Sequence, residues 1–476
     1  MTDELLSVGI DIGTSTTQLV FSRITMEDQG GYFSVPRVSI VDKEIIYRSE
    51  VYLTPLLSPV LVDGAGVGRI AQEEYRRAGF TPADVDTGAV IITGESARKE
   101  NAAAVLEQLS DLAGEFVVST AGPDLESVIA GKGSGAWAES SREHCVTANL
   151  DVGGGTTNIV IFSDGEVVSK GCLDIGGRLI RLDGDGTIRY LSPAAAQAAA
   201  AAGVALAVGR RASVEELSRV TDKMALLLDE AMGLAPQEPL LRALQTPGSS
   251  WLEPVPPRRV FFSGGVANYI GGEEETEPFP FGDIGVLLGR SIARSGLCRR
   301  LSAGRGQETI RATVVGAGMF TTTISGSTIT YTAGRFPLKN VPVLRLTEAE
   351  QERCQSGDAE YLARRVRWLL EQSGAQSLVL SLPGRGDPSY EELRALAETL
   401  SAGLDRALPA GAPVLAAVEQ DVAKALGILM DRALEGRRDI VCIDSVRMEQ
   451  GDYVDLGRPL CGGLVIPVVV KTLLFG

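Results

Sequence analysis

The sequence has little of the chemistry that histidine and cysteine supply. Its 476 residues contain a single histidine, His144, and six cysteines that occur one at a time, with no Cys-x-x-Cys pair. Structural zinc ions and iron–sulfur clusters draw on paired cysteines, and histidine is the commonest metal ligand among side chains. The composition therefore argues against histidine-based catalysis, a histidine metal site, a structural zinc ion and an iron–sulfur cluster held by one chain.

Long apolar runs and basic stretches are also missing. No window of about 20 residues is continuously apolar, so we expect no membrane span. No basic segment or apolar signal precedes the first predicted strand, so we expect a cytoplasmic protein. The net charge is −16, from 45 basic and 61 acidic residues, and the arginine pairs are short and scattered. Because a nucleic-acid groove needs a clustered basic stripe, no nucleic acid is expected as a partner.

What the sequence does contain is one glycine-rich pattern written twice, DIGTSTTQ at 11–18 and DVGGGTTN at 151–158. In each copy an aspartate ends an apolar run, glycines and hydroxyl residues follow, and a second apolar run comes next, which predicts a β-hairpin. Glycine lets backbone N–H groups approach a phosphate, and hydroxyls add donors. The aspartates supply the oxygen ligands that Mg²⁺ prefers. The pair predicts duplicated lobes that face one nucleotide from two sides.

A third segment, RRVFFSGGVANYI at 258–270, reads as a strand that opens into Gly264 and Gly265 before a helix. A glycine pair can pass flat against a nucleoside, and a helix N-terminus favours an anion. Each of the three segments alone is an ordinary turn. Their order along the chain, at spacings of about one lobe, predicts a nucleotide site.

The three segments resemble the phosphate-1, phosphate-2 and adenosine motifs of the superfamily that contains actin, heat-shock chaperone and sugar kinase ATPases. Within it, the chain resembles the ethanolamine ammonia-lyase reactivating factors from its first strand to its last. The segments that carry this resemblance are LLSVGIDIGTSTTQLVFSRI (5–24), IITGESA (91–97), STAGPDLESVIAGKGSGA (119–136), CLDIGGRLI (172–180) and GDYVDLGRPLCGGLVIPVVVKTL (451–473). The resemblance implies an α/β, actin-like two-lobed ATPase fold with duplicated ribonuclease H-like lobes and an additional C-terminal α/β portion.

We divide the chain into a first ATPase lobe at 1–146, a second lobe at 147–331 and a C-terminal portion at 332–476. The small polar segment 133–143 is expected to cross between the lobes, and RATVVGAGMF (311–320) to form a helix that crosses back. The alanine-rich run 193–209 predicts a helix because alanine has the highest helix propensity. The acidic, proline-bearing segment 271–285 is expected to be exposed.

The resemblance also implies roles for individual residues. Asp11 and Asp151 would hold Mg²⁺, mostly through water. Phosphate contacts would come from two groups, Gly13, Thr14, Ser15, Thr16 and Thr17 on one side and Gly153, Gly154, Gly155 and Thr156 on the other. Gly264, Gly265 and Val266 would border the nucleoside.

Glu126 and Asp151 are the candidate catalytic residues. Of the two, Glu126 is the candidate for orienting the attacking water. Glu95 is the second candidate, and a helix cap or a salt bridge is the alternative role for both glutamates. AGKGSG at 130–135 is not a P-loop, because Glu126 stands where the pattern needs glycine and Gly133 replaces the Ser/Thr after Lys132.

The resemblance implies a chaperone that uses ATP and Mg²⁺ to release damaged cobalamin from adenosylcobalamin-dependent ethanolamine ammonia-lyase, so that intact cofactor can bind. Three alternatives stay open on the same fold. They are a small-molecule kinase, an actin-type filament or scaffold ATPase, and an iron–sulfur activator of acyl-CoA dehydratases, which the isolated cysteines disfavour. Oligomeric state and entry into a bacterial microcompartment are left open.

Overall fold

The computed structural model describes residues 2–13, 16–28, 38–58, 61–93, 96, 101–109, 122–271, 277–306, 308–320, 323–325, 329–332, 336–384, 386 and 388–472. Across these residues the strands form three larger sheets and two short two-stranded ladders. Two of the larger sheets have matching strand orders, and the third has a different one.

The first sheet belongs to the N-terminal part of the chain. Its region contains β1 (Thr2–Ile12), β2 (Thr16–Asp28), β3 (Val38–Arg48), β4 (Tyr52–Leu53), β5 (Leu56–Ser58), β6 (Leu61–Val62), α1 (Gly64–Ala78), β7 (Thr87–Ile92) and α2 (Ala102–Leu109). The strand order is β3-β2-β1-β7, with β1 antiparallel to β2 and parallel to β7, and β4 pairs with β2. Alternate residues of β1 (Val8, Ile10, Ile12) are buried in one cluster with side chains of α1 and α2, so the opposite face of β1 is left for other contacts.

The second sheet repeats this arrangement. Its region contains α3 (Pro123–Gly133), α4 (Ala136–Glu143), β8 (Val146–Val152), β9 (Thr157–Ser163), β10 (Glu166–Leu173), β11 (Ile180–Leu182), β12 (Ile188–Leu191), α5 (Pro193–Ala201), α6 (Val214–Ala231), α7 (Pro239–Ala243), β13 (Arg259–Ser263), α8 (Gly285–Arg294), α9 (Gly296–Arg300) and β14 (Ser302–Arg305). The order is β10-β9-β8-β13-β14, with an antiparallel meander followed by two parallel strands. The shared order of the two sheets is that of ribonuclease H-like lobes and confirms the predicted fold class.

Two helices connect the lobes. Helix α10 (Ala312–Phe320) follows the second sheet along the chain but packs on β1, β2 and β7 of the first sheet. Helix α3 packs on β8, β9 and β10 of the second sheet, and α3 and α10 pack against each other.

The third sheet contains β15 (Thr323–Ser325), β16 (Thr330–Tyr331), β17 (Leu338–Arg345), β18 (Val379–Leu382), β19 (Val414–Val418), β20 (Ile440–Asp444), β21 (Asp452–Leu456) and β22 (Ile466–Thr472). Its helices are α11 (Glu348–Gln355), α12 (Ala359–Ser373), α13 (Tyr390–Ala407) and α14 (Ala423–Leu434). Strands β17 to β20 are parallel neighbours, as the alternation of strands and helices predicts. The sheet also includes β15 and β16, which lie before the proposed boundary at residue 332.

Two local expectations need correction. The segment 133–143 is not a plain crossing, because α4 occupies most of it, with Ala136 and Ser140 buried on its inner side. The alanine-rich helix ends at Ala201 rather than continuing to 209, since Gly203 takes a left-handed conformation with φ 67°. In the part of the chain that the structure describes, no helix is long and apolar enough to cross a membrane.

Candidate functional site

A cleft of about 700 Å³ is lined by residues from both of the first two sheets. The three segments singled out in the sequence meet there, although they are far apart along the chain. The predicted residues that line the cleft are Asp11, Gly13, Thr16, Glu126, Asp151, Gly153, Gly154, Gly155, Thr156, Gly264, Gly265 and Val266. The structure therefore places the two turn aspartates in one cavity.

The two hairpins have the same geometry. In the first, the Gly13 N–H donates to the Thr16 carbonyl at 2.9 Å, and in the second the Gly153 N–H donates to the Thr156 carbonyl at 2.9 Å. The tight turn therefore starts two residues after each aspartate. The strand registers match as well: Asp11 lies opposite Gln18 on β2, and Asp151 lies opposite Asn158 on β9.

Each aspartate also accepts a hydrogen bond from a hydroxyl on the neighbouring parallel strand or at its end. Thr93, just after β7, donates to Asp11 Oδ1 at 3.0 Å, and Ser263, at the end of β13, donates to Asp151 Oδ1 at 2.6 Å. Thr313 in the first turn of α10 reaches Asp151 Oδ2 at 3.4 Å. These hydrogen bonds restrict the side chains of Asp11 and Asp151 to few rotamers, so both carboxylates are held in place.

Burial disfavours the ionised form of both carboxylates. It raises the pKa of Asp11 to about 7, with the Asp151 charge as a further cause, while hydrogen bonds from Thr93 and Gln18 lower it. Burial likewise raises the pKa of Asp151 to about 6 against the hydrogen bonds from Ser263 and Thr313. Two buried carboxylates that act on each other favour a cation between them.

Gly264 has a backbone that only glycine adopts readily, with φ 85°. A Cβ atom at this position would lie 2.6 Å from the carbonyl carbon of Val152, at the end of β8. Gly265 has no atom within 4 Å of the corresponding position, so its surface is open. The first glycine closes β13 onto the second hairpin, and the second leaves room beside it in the cleft.

Three predicted contacts do not line the cleft or cannot be placed. Thr17 is buried with its Oγ1 atom 3.1 Å from Thr54 Oγ1, on the face of β2 that packs towards α1 and α2. Because strand residues alternate between faces, Thr17 and the neighbouring Gln18 cannot both face the cleft. Thr14 and Ser15 lie outside the described residues, as does Glu95.

Several residues of the cleft were missed by the sequence analysis. They are Gln18, Thr93, Asn158, Arg178, Asn268, Tyr269, Phe281, Asp283 and Thr313. Gln18 and Asn158 could have been found, because a residue opposite a cleft-facing aspartate in a hairpin shares its face. Asn268 and Tyr269 lie in the segment 258–270, and Arg178 follows Gly176 and Gly177, but the glycines alone do not indicate which neighbouring side chains line the cleft.

The segment 271–285 is not simply an exposed insertion. Among its described residues, Pro280, Phe281, Asp283 and Gly285 line the cleft. The Tyr269 and Phe281 rings lie 6.2 Å apart, and Phe281 is 61% exposed. Asp283 accepts the Gly285 N–H at 2.9 Å, and its carboxylate lies 3.8 Å from Arg178 Nε. This end of the cleft offers an aromatic surface next to a charged pair.

Comparison with known proteins bears on the whole chain. The family model described as "Ethanolamine utilisation protein EutA" matches residues 3–476. The chain belongs to the EutA family. Curated relatives are named "Ethanolamine ammonia-lyase reactivase EutA": this EutA-family chain is 36% identical over 477 residues to the protein of Salmonella typhimurium, covering 100% of this chain and 99% of the relative. It is also 36% identical over 482 residues to the Escherichia coli protein, with the same coverage.

Solved structures align with part of this EutA-family chain. The (R)-2-hydroxyglutaryl-CoA dehydratase component A of Acidaminococcus fermentans aligns with a TM-score of 0.34 and 13% identity, over 66% of this chain and 96% of that one. A Ppx/GppA family member from Aquifex aeolicus aligns with a TM-score of 0.41 and 14% identity, over 66% and 97%.

Proposed function

We propose that this chain is an ATP-dependent reactivating chaperone for adenosylcobalamin-dependent ethanolamine ammonia-lyase, which releases damaged cobalamin so that intact cofactor can bind. The observation that carries the proposal is the convergence of two matching aspartate hairpins and the Gly264 strand on one cleft, in a chain whose full-length relatives are named reactivases. We expect it to act in the cytoplasm.

The charges of the cleft support Mg²⁺ together with ATP. Its acidic lining side chains are Asp11, Glu126, Asp151 and Asp283, and within the described lining Arg178 is the only basic one. A triphosphate in such a cleft needs a cation to offset repulsion between phosphates and carboxylates. Asp11 and Asp151 are the residues that would hold it, and the cation would supply charge neutralisation for the transferring phosphoryl group.

Other residues of the cleft would position the phosphates and the attacking water. The backbone of Gly13 and of Gly153 to Gly155 can approach phosphates closely, with Thr16 and Thr156 as hydroxyl donors. Glu126 is 7% exposed in the first turns of α3 and lines the cleft, where its carboxylate could orient a water molecule against the γ-phosphate.

Motion of the two lobes would couple nucleotide binding to a partner protein. A nucleotide that contacts both hairpins has different interactions in an open and a closed cleft, so binding and hydrolysis shift the angle between the lobes. Such a motion, transmitted to a lyase bound on the surface, would loosen the lyase so that damaged cobalamin can leave.

A reactivation assay tests this function. Lyase inactivated with cyanocobalamin is incubated with the chain, ATP, Mg²⁺ and free adenosylcobalamin, and the recovery of ethanolamine deamination is measured. We expect recovery with the unaltered chain, none without ATP, and none with Asp11→Asn or Asp151→Asn. Glu391→Ala on the exposed side of α13 is the control and should behave like the unaltered chain. Recovery that is independent of ATP, or phosphorylation of a metabolite, would contradict the proposal.

A further inference from the structure

Two buried amide side chains line the cleft, and the carbonyl oxygen of each accepts no hydrogen bond. Gln18 is 1% and Asn158 is 2% exposed, both line the cleft, and Gln18 Oε1 and Asn158 Oδ1 have no hydrogen-bond partner. Buried carbonyl oxygens are almost always paired in proteins, with protein groups or with ordered water. Each oxygen therefore marks a place where a donor is missing.

The orientation of Gln18 follows from its surroundings. Its Nε2 atom donates to the Ile310 carbonyl at 2.7 Å, and the side chain also stabilises the Asp11 carboxylate by a hydrogen bond. A flipped amide would set its oxygen against these two acceptors. The nitrogen is therefore fixed on the protein side, and Oε1 is the atom left to accept.

The missing donor cannot be a phosphate, because ionised phosphate oxygens are themselves acceptors. Water fits, since each molecule brings two donors. Within the described ranges no group of three or more histidine, cysteine, aspartate or glutamate side chains suits a metal ion. A Mg²⁺ ion between Asp11 and Asp151 would thus keep several of its waters, as this ion usually does.

We propose that Gln18 and Asn158 are a matched pair of positioning residues that accept hydrogen bonds from the waters of the nucleotide-bound cation. The inference rests on the proposed function and deepens it. The two side chains occupy equivalent registers, each opposite one of the aspartates. One amide oxygen and one carboxylate from each lobe would then hold the hydrated ion, which ties the lobes together through water.

Metal affinity tests this proposal without relying on turnover. Mn²⁺ is titrated into the ADP complex of the full chain, and free Mn²⁺ is followed by electron paramagnetic resonance. We expect Asn158→Leu and Gln18→Met to weaken Mn²⁺ binding about tenfold, as loss of an outer-shell partner typically does. ADP affinity measured in EDTA should stay unchanged. Asn158→Asp keeps an acceptor and should restore Mn²⁺ affinity.

Ser22→Ala is the matched control. Ser22 lies on β2 like Gln18, is fully buried and also has an unpaired oxygen, but it does not line the cleft. Unchanged Mn²⁺ affinity in Asn158→Leu, or an equal loss in Ser22→Ala, would overturn the proposal. If the unaltered chain binds nucleotide and reactivates the lyase in that case, only this inference fails. A chain that binds no nucleotide overturns the site and the inference together.

Discussion

Gly316 of α10 lies directly against Ile129 of α3, where a Cβ atom on the glycine would be 2.8 Å from the Ile129 carbonyl carbon. Gly133 makes the reciprocal approach, since its Cβ would lie 2.9 Å from the Gly316 nitrogen. The two helices belong to different sheets, and each contributes a cleft residue near its N-terminus, Glu126 in α3 and Thr313 in α10. Their backbone contact therefore joins the lobes beside the cleft.

Gly316→Ala is expected to destabilise the chain by about 1–3 kcal/mol, because an added methyl group in a tight contact forces the helices apart. Urea denaturation followed by circular dichroism measures this change. Gly68→Ala in α1 is the control, since its nearest neighbour would be Leu109 Cδ2 at 3.7 Å. There alanine should be neutral or stabilising by up to about 1 kcal/mol. Equal stability of the Gly316→Ala and Gly68→Ala variants would show that α3 and α10 can move apart without a loss of stability.

The buried aspartates predict an unusual pH dependence of stability. The pKa of Asp11 rises from the ordinary 3.8 to about 7 and that of Asp151 to about 6 in the folded chain. The folded state then binds more protons than the unfolded state between about pH 4 and pH 7. The free energy of unfolding of the nucleotide-free chain should therefore fall as the pH rises through this window, by a few kcal/mol.

Asp11→Asn and Asp151→Asn should each flatten this dependence and raise the free energy of unfolding at pH 8 by about 1–3 kcal/mol. Urea denaturation at pH 5.5 and pH 8 provides the measurement. The exposed Asp42→Asn is the control and should follow the unaltered chain. Nucleotide with Mg²⁺ should oppose the loss at pH 8, because a cation stabilises the ionised carboxylates. A profile that rises with pH would contradict the account.

The sequence was most informative where the site is built from local structure. Each aspartate hairpin is a short continuous segment whose apolar alternation and glycines are visible directly, so Asp11 and Asp151 could be predicted. The error at Thr17 arose from treating hydroxyl residues of the turn as equivalent, whereas the alternation of β2 directs Thr17 to the core and Gln18 to the cleft.

The other end of the cleft could not be predicted for a different reason. Arg178, Tyr269 and Asp283 come from three separate segments that the sequence analysis named. They line one cleft only after the second lobe folds, and no local pattern shows that their side chains face it. Phe281 stands in an acidic, proline-bearing segment whose composition is typical of exposed loops. Phe281 is exposed, as that composition predicts, but exposure alone does not show that the residue borders the cleft.

Gly264→Ala should abolish nucleotide binding while leaving the chain folded. Its Cβ would meet the Val152 backbone, at 2.6 Å from the carbonyl carbon, so the strand end must shift into the nucleoside part of the cleft. Isothermal titration with ADP and Mg²⁺ measures the loss. Gly411→Ala is the matched control. Its φ of 76° gives alanine a similar backbone cost, but no atom lies within 4 Å of the position that the added Cβ would take. It should bind ADP normally, and a similar defect in both variants would point to general instability.

Phe281→Ala should weaken ATP binding about tenfold, because stacking of a base on an aromatic side chain contributes roughly 1–3 kcal/mol. Phe281 is the exposed member of the ring pair with Tyr269, so a base laid on it would cover apolar surface that otherwise faces water. Tyr390→Ala is the control, because Tyr390 is 60% exposed but lies at the start of α13. Titration with ATP and with ribose triphosphate, which lacks the base, separates the roles. Phe281→Ala should lower only the affinity for ATP, whereas equal losses for both ligands would place the base elsewhere.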